Sequence, residues 1–168
     1  SRAWRHITES LEFTPASELA QLKLIVAQSG ADGIFLAADV EQARQVRPFL
    51  SASLPTYATS LVYSGRNDAL ANVDLNGIRF VEMPWLVQPD HPAVMSYPRF
   101  DSIAPELQRF YALGVDAFRL ASELVRKRSG ITLDGVTGKL TLLRGTVERE
   151  AVAAQFRDGA AIALSPSR

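Results

Sequence analysis

The sequence predicts an α/β fold: an open, mainly parallel sheet flanked by helices, with a β-rich C-terminal segment. Three observations carry this. Apolar residues recur at intervals of three and four from Leu19 to Ser29 and again across residues 105–128, the period of helices with one packed face. Short apolar runs bounded by turn-forming residues alternate with those stretches. Past Gly130 the dipeptides Asp134-Gly135, Thr137-Gly138, Arg144-Gly145 and Asp158-Gly159 punctuate short apolar segments, as strands and hairpins do.

Taken in order, Leu11 to Phe13 is a candidate short first strand. Thr14 and Pro15 start a helix, because the hydroxyl can accept from a free N–H and proline at the first helical position loses only a donor without a partner. Leu19, Leu22, Ile25, Val26 and Ser29 make its inner face, and Gly30 stops it. Gly33-Ile34-Phe35-Leu36-Ala37-Ala38 is apolar at successive positions, as expected of a strand covered on both sides. Asp39 caps a second helix with Gln42 three residues on, and Pro48 bends or ends it. Pro55-Thr56-Tyr57-Ala58-Thr59 reads as a strand, followed by a long exposed connection over residues 60–76. Gly77 to Met83 is a strand ended by Pro84, and residues 88–102, with three prolines and no period, form a second long loop. The strongest helix spans residues 105–128. Its inner stripe is Leu107, Phe110, Tyr111, Gly114, Phe118, Ala121, Leu124 and Val125, and Arg126, Lys127 and Arg128 in the last turn complement the dipole. Gly114 within it marks either a close approach by another backbone or a kink.

Composition excludes several function classes. The chain has 168 residues, 18 Lys plus Arg against 18 Asp plus Glu, and no cysteine. Folding a chain of this length buries roughly 70% of its surface, so neither disulfides nor a structural metal are needed. Zero net charge and no basic run beyond three residues argue against nucleic acid as a partner. No stretch reaches the length of a membrane span, so the piece is expected to be soluble. It begins without Met and is expected to be a processed or excised piece, any targeting segment lying outside it.

Catalytic signatures are mostly missing. There is no GxGxxG, no phosphate loop at Gly138-Lys139-Leu140, no thiol and no GxSxG elbow, and neither a cofactor nor a metal is expected. Asp90 and His91 supply two donors where a metal needs three or four, so His91, like His6, reads as a surface or partly packed histidine. In an open α/β sheet ligands sit beyond the carboxyl ends of the strands. That places Asp39, Ser60, Glu82 and Trp85 in a candidate cleft, although Asp39 is equally explained as a helix cap. Met83-Pro84-Trp85-Leu86-Val87 is either core and hinge packing or a recognition element. Tyr63, with Tyr57 and Arg66, has the residue types of an interface or an ordinary exposed loop. Asp39, Ser60, Tyr63, Glu82 and Trp85 are therefore the candidate ligand- or partner-binding residues, and no catalytic residue is assigned.

Several blocks occur in a distinctive order: Asp32-Gly33-Ile34-Phe35-Leu36-Ala37, Gln42-Ala43-Arg44, Leu54 to Ser60, Asp74-Leu75-Asn76-Gly77-Ile78-Arg79-Phe80 and Met83-Pro84-Trp85-Leu86. Arg109 to Phe118 and Gly135-Val136-Thr137-Gly138-Lys139-Leu140 continue the series. In these blocks the chain resembles the LppC/LpoA lipoprotein family, from about Trp4 to Ile162. The resemblance implies a type I periplasmic-binding-protein-like domain, of which this chain is one α/β module: one lobe plus crossover segments, with the flanking N-terminal helical-repeat domain outside it. It also implies a noncatalytic regulator on the periplasmic side of the outer membrane, held by a lipid anchor outside this chain, whose partner is a class A penicillin-binding protein. The rival expectation is a receptor lobe for a small polar solute such as an amino acid or a cell-wall fragment. A hydrolase using Asp39 or Glu82 as base ranks last, because the partners it needs are not in the sequence.

Overall fold

The structure, a computed structural model, describes residues 10–13, 19–100, 103–126 and 130–165. Its elements are α1 (Leu19–Gln28), β1 (Ile34–Leu36), α2 (Val40–Val46), β2 (Thr56–Ala58), β3 (Arg79–Glu82), α3 (Pro84–Val87), α4 (Pro92–Met95), α5 (Pro105–Val125), β4 (Ile131–Asp134), β5 (Lys139–Leu143), β6 (Thr146–Glu150), β7 (Val152–Arg157) and β8 (Ala160–Ala163). Thr14, Pro15, His6, Lys127 and Arg128 lie outside the described residues. Residues 11–13 adopt no strand, which corrects the expectation for Leu11 to Phe13.

Five strands form one sheet in the order β1-β2-β3-β7-β8. β1, β2 and β3 run parallel, as the alternation of strands with helix and connection requires. β7 joins β3 antiparallel and turns back through Asp158-Gly159 into β8. Both turn residues have positive φ, 49° and 72°, the conformation of a two-residue hairpin that favours Asp-Gly. Leu36, Ala58, Phe80, Ala154 and Phe156 share the inner face and make one core with Ala43 and Val46 of α2. Leu19, Leu22 and Val26 of α1 pack against it.

The opposite face of this sheet is open at Phe35 and Ile162, where β1 was expected to be covered on both sides, while Tyr57 and Gln155 on the same face are half-buried. Register aligns Phe35, Tyr57, Arg79, Gln155 and Ile162 in one row across all five strands, and Phe35 is 67% exposed. A continuous apolar run reports that both faces favour burial; it does not identify the segment that buries the second.

Residues 60–76 are exposed only in part: residues 66–70 lie at the surface, as expected of the whole connection, but its two ends turn inward. Two 3-10 turns, Ser60–Val62 and Val73–Leu75, carry Val62, Tyr63, Asn72 and Leu75 into the interior. The Asn72 amide donates to the Gly159 carbonyl at 3.0 Å and its oxygen accepts from Arg44 at 2.9 Å, which ties the connection to the β7–β8 turn. Gly159 is required there, because a Cβ would lie 2.6 Å from the Ala69 backbone. The loop of residues 88–102 likewise contains one helical turn, α4, where Pro92 takes the first helical position and His91 Nδ1 accepts from Ala93 N–H at 3.2 Å.

A second, antiparallel sheet, β4-β5-β6, forms a smaller layer beside α5. A separate buried cluster of Met83, Trp85, Val94, Ala112 and Val136 joins α3, α4 and α5 to the turn between β4 and β5. Buried Asp116 on α5 accepts from the backbone N–H groups of Val136 (3.1 Å) and Thr137 (2.8 Å) and from the Thr137 hydroxyl (2.7 Å). Gly135 and Gly138 permit this close turn: a Cβ on Gly135 would overlap the Asp116 carboxylate, and one on Gly138 the Glu150 carbonyl.

α5 departs most from expectation. Its apolar stripe, Leu107, Phe110, Gly114, Phe118, Ala121, Leu124 and Val125, faces outward, while Ala112 and Asp116 face in. Specific polar bonds turn it that way: Gln108 is engaged by Trp85, Arg109 by Glu82, and Arg119 donates to the Asp134 carbonyl at 3.0 Å. The helix is continuous through Gly114, where a Cβ would meet nothing within 4 Å among the described residues. It ends at Val125 with Arg126 as C-cap, so no cation occupies its last turn.

Candidate functional site

The carboxyl ends of β1, β2 and β3 lead into Asp39, Ser60 and Glu82 respectively, and these ends define the candidate site. Asp39 is exposed and forms a reciprocal capping box: its Oδ1 accepts from Gln42 N–H at 2.8 Å, and Gln42 Oε1 accepts from Asp39 N–H at 3.2 Å. Both of its partners are local, as capping requires.

Glu82 is buried at the end of β3. Its Oε2 accepts from an Arg109 terminal nitrogen at 2.5 Å, and its Oε1 accepts from Met83 N–H at 2.9 Å. The same Arg109 nitrogen donates to the carbonyls of Ser60 at 3.2 Å and Tyr63 at 2.8 Å. One guanidinium on α5 therefore joins the ends of β2 and β3. Ser60 enters this network through its backbone. Arg109 and Asp116 were missed as structural anchors because α5 carries them on the face opposite its apolar stripe, and their partners are 27 and 20 residues distant in sequence.

Tyr63 is buried against Phe80 and Phe156, with ring centroids 5.8 and 5.9 Å away. Its hydroxyl donates to Asn67 Oδ1 at 3.0 Å, and that oxygen also accepts from Ala161 N–H at 3.0 Å. Burial, aided by the nearby Glu82 carboxylate, pushes the Tyr63 phenol up to about 12, against the opposing pull of Arg109 and Arg99. Trp85 is completely buried: its indole N–H donates to Gln108 Oε1 at 2.8 Å, and the Arg99 guanidinium lies over its ring at 4.9 Å while donating to its carbonyl.

An open groove of about 650 Å³ runs beside these strand ends, between the turn after Tyr63, residues 86–91 and the end of β8. Asn67, Gln88, Asp90, His91 and Arg99 give it polar walls, and Leu86 part of its apolar floor. Of the five residues singled out from sequence, Tyr63 alone lines it. His91 Nε2 lies 3.4 Å from Asp134 Oδ1. Among the described residues no group of three or more His, Asp or Glu side chains is placed to hold a metal ion.

A five-stranded sheet that presents the ends of three parallel strands, with a β-hairpin added beyond β3, is the architecture of type I periplasmic-binding-protein-like α/β domains. The structure superposes with a TM-score of 0.71 on one described as "a putative branched-chain amino acid ABC transporter" from Chromobacterium violaceum, at 40% identity, covering 85% of this chain and 47% of that one. With the C-domain of LpoA from Haemophilus influenzae, described as a regulator of PBP1A, the TM-score is 0.68 at 24% identity, covering 88% and 49%. Residues 19–159 match the family described as "LppC putative lipoprotein", and the chain belongs to that family. Among curated relatives, the penicillin-binding protein activator LpoA of Histophilus somni is 26% identical over 140 residues, covering 80% of this chain and 24% of the relative. That of Photobacterium profundum is 30% identical over 120 residues, covering 65% and 19%. The chain thus spans about a quarter or less of the length of these relatives.

Proposed function

We propose that this chain is a noncatalytic regulatory module of a lipid-anchored protein at the periplasmic face of the outer membrane, which binds a class A penicillin-binding protein and raises its peptidoglycan synthesis. The observation that carries this reading is the family match over residues 19–159, joined to relatives named as penicillin-binding protein activators. The strand-end surface is the proposed contact region. Asp39 and Ser60 stand at its rim, and Tyr63, Glu82 and Trp85 form the bonded layer beneath. A surface held by Glu82, Arg109 and the Ser60 and Tyr63 carbonyls is preorganised, so little ordering entropy opposes docking. The test mixes the natural gene product with a purified class A synthase and follows glycan polymerisation and peptide cross-linking. A rise in both rates with a detectable complex is expected; unchanged rates without a complex overturn the reading.

A second reading, a receptor lobe for a small polar solute, is supported by the 40% identity to the Chromobacterium violaceum protein and by the mixed polar and apolar groove. Thermal shift against amino acids and muropeptides separates the two. A solute at 100 times its dissociation constant adds about 2.7 kcal/mol, and a flat response removes the receptor reading.

A further inference from the structure

From the second turn of α5, Arg109 reaches into the crevice at the strand ends, and every partner it meets there is an acceptor. Its Nε lies 3.4 Å from Glu82 Oε1, and one terminal nitrogen reaches Glu82 Oε2 at 2.5 Å, the Tyr63 carbonyl at 2.8 Å and the Ser60 carbonyl at 3.2 Å. The Glu82 side chain is 1% exposed and that of Arg109 20%, so the receiving carboxylate is sealed beneath a head group that still meets solvent. In open α/β sheets this is the position at which ligands bind. The two carbonyls belong to the chain just past β2 and the carboxylate to the last residue of β3, whereas the cation comes from the other layer, where Asp116 ties α5 to the turn between β4 and β5. An anchor between the layers does not require a carboxylate here. Desolvating one is costly, and the bond from Trp85 to Gln108, one residue earlier, already joins α5 to the chain beyond β3.

We propose that the strand-end crevice is a guanidinium-recognition site whose ligand is built into the chain: Arg109 of α5 stands where a free guanidinium cation would otherwise bind. The sheet supplies the acceptors of a cation site, a carboxylate flanked by two carbonyls, and α5 fills it. A planar fork donating to both carboxylate oxygens is the arrangement that a guanidinium matches and an ammonium does not. With its own side chain in place the protein offers a free cation no strand-end position. Solute recognition is then confined to the groove beside Asn67, Gln88 and Arg99, and the filled crevice presents a continuous surface, as contact with a macromolecule requires.

In the natural gene product, Arg109→Ala vacates the crevice, and ethylguanidinium is the group that this substitution removes. Isothermal titration should show one saturable site for ethylguanidinium in this variant. Binding there should be at least about tenfold tighter than in the unsubstituted protein or in Glu82→Gln/Arg109→Ala, and tighter by the same factor than binding of the neutral isostere ethylurea. Absence of saturable binding to Arg109→Ala overturns the proposal, and so does equal binding in either comparison protein or of ethylurea. A second pair of variants keeps the test decisive where the alanine form does not fold. Arg109→Lys retains a cation and Arg109→Gln does not, so the lysine form should melt at the higher temperature. An equal or reversed order assigns Arg109 to packing alone and overturns the proposal. None of these measurements involves the synthase, and their result stands whatever the outcome of the activation assay.

Discussion

Asp116 on α5 receives both the N–H and the hydroxyl of Thr137, at 2.8 and 2.7 Å, from a turn 21 residues further along the chain. With the Val136 N–H this gives the carboxylate three donors from one short segment, and so fixes the second sheet to the helix. Asp116→Ala leaves buried donors without an acceptor, at about 1–3 kcal/mol each. We expect a loss of about 3 kcal/mol and, at this chain length, a melting temperature lower by roughly 6–12 °C. Thr137→Val, which removes one hydroxyl, should cost about 1 kcal/mol. Equal effects of the two substitutions in calorimetry would contradict the assignment.

Glu82 and Arg109 form the second anchor. Removing one partner of a buried pair leaves an uncompensated charge and costs about 3–5 kcal/mol. Arg109→Met is therefore expected to destabilise by that amount in denaturant unfolding, and the double variant Glu82→Gln/Arg109→Met should recover part of it. A loss under about 1 kcal/mol for Arg109→Met would place the pair with ordinary surface ion pairs instead.

Tyr63 gives a pH dependence at the alkaline end. Its phenol ionises at about 12 in the fold against an ordinary value of 10.0, so the folded state holds the proton more tightly. The stabilisation is complete below pH about 10 and is lost as pH rises toward about 12, amounting to about 2–3 kcal/mol at 1.36 kcal/mol per pH unit. Unfolding curves between these pH values measure the slope. Tyr63→Phe should flatten it, while costing about 1 kcal/mol at neutral pH through the lost bond to Asn67.

Asp39→Ala separates a capping role from a contact role. Loss of the cap lowers stability by about 1 kcal/mol, and Asp39→Asn should restore most of it. If synthase activation falls in both variants while only the alanine form is destabilised, the carboxylate itself touches the partner.

Glycine substitutions should divide by their surroundings. Gly138→Ala, at φ +132° and with its added Cβ overlapping a carbonyl, is expected to cost about 3 kcal/mol or more. Gly145→Ala, at φ +82° in open space, should cost about 1–2 kcal/mol. Paired melting curves test the order.

The parallel strands, the capping box at Asp39 and the hairpins at Arg144-Gly145 and Asp158-Gly159 were legible in the sequence because each depends on local chemistry. Helix period, side-chain caps and positive φ act within a few residues. Which way α5 turns was not legible. Its period locates an apolar stripe but cannot say whether that stripe or the polar side meets the chain's own core, and distant partners at Glu82 and residues 135–137 decide it. The candidate site was located through the strand ends, whereas the burial of Tyr63, Glu82 and Trp85 depends on groups 4 to 27 residues away. The interior position of Val62 and Leu75 was hidden for the same reason, since Asn72 finds its carbonyl 87 residues along.

β3 meets β7 across the three intervening helices α3, α4 and α5 and the whole second sheet, with Phe80 opposite Ala154. During translation the growing edge of β3 therefore stays open until β7, which begins at Val152, has left the ribosome. An open parallel edge in a nascent polypeptide invites pairing with another such edge, so a holdase that shields it through this interval should raise the yield of folded product.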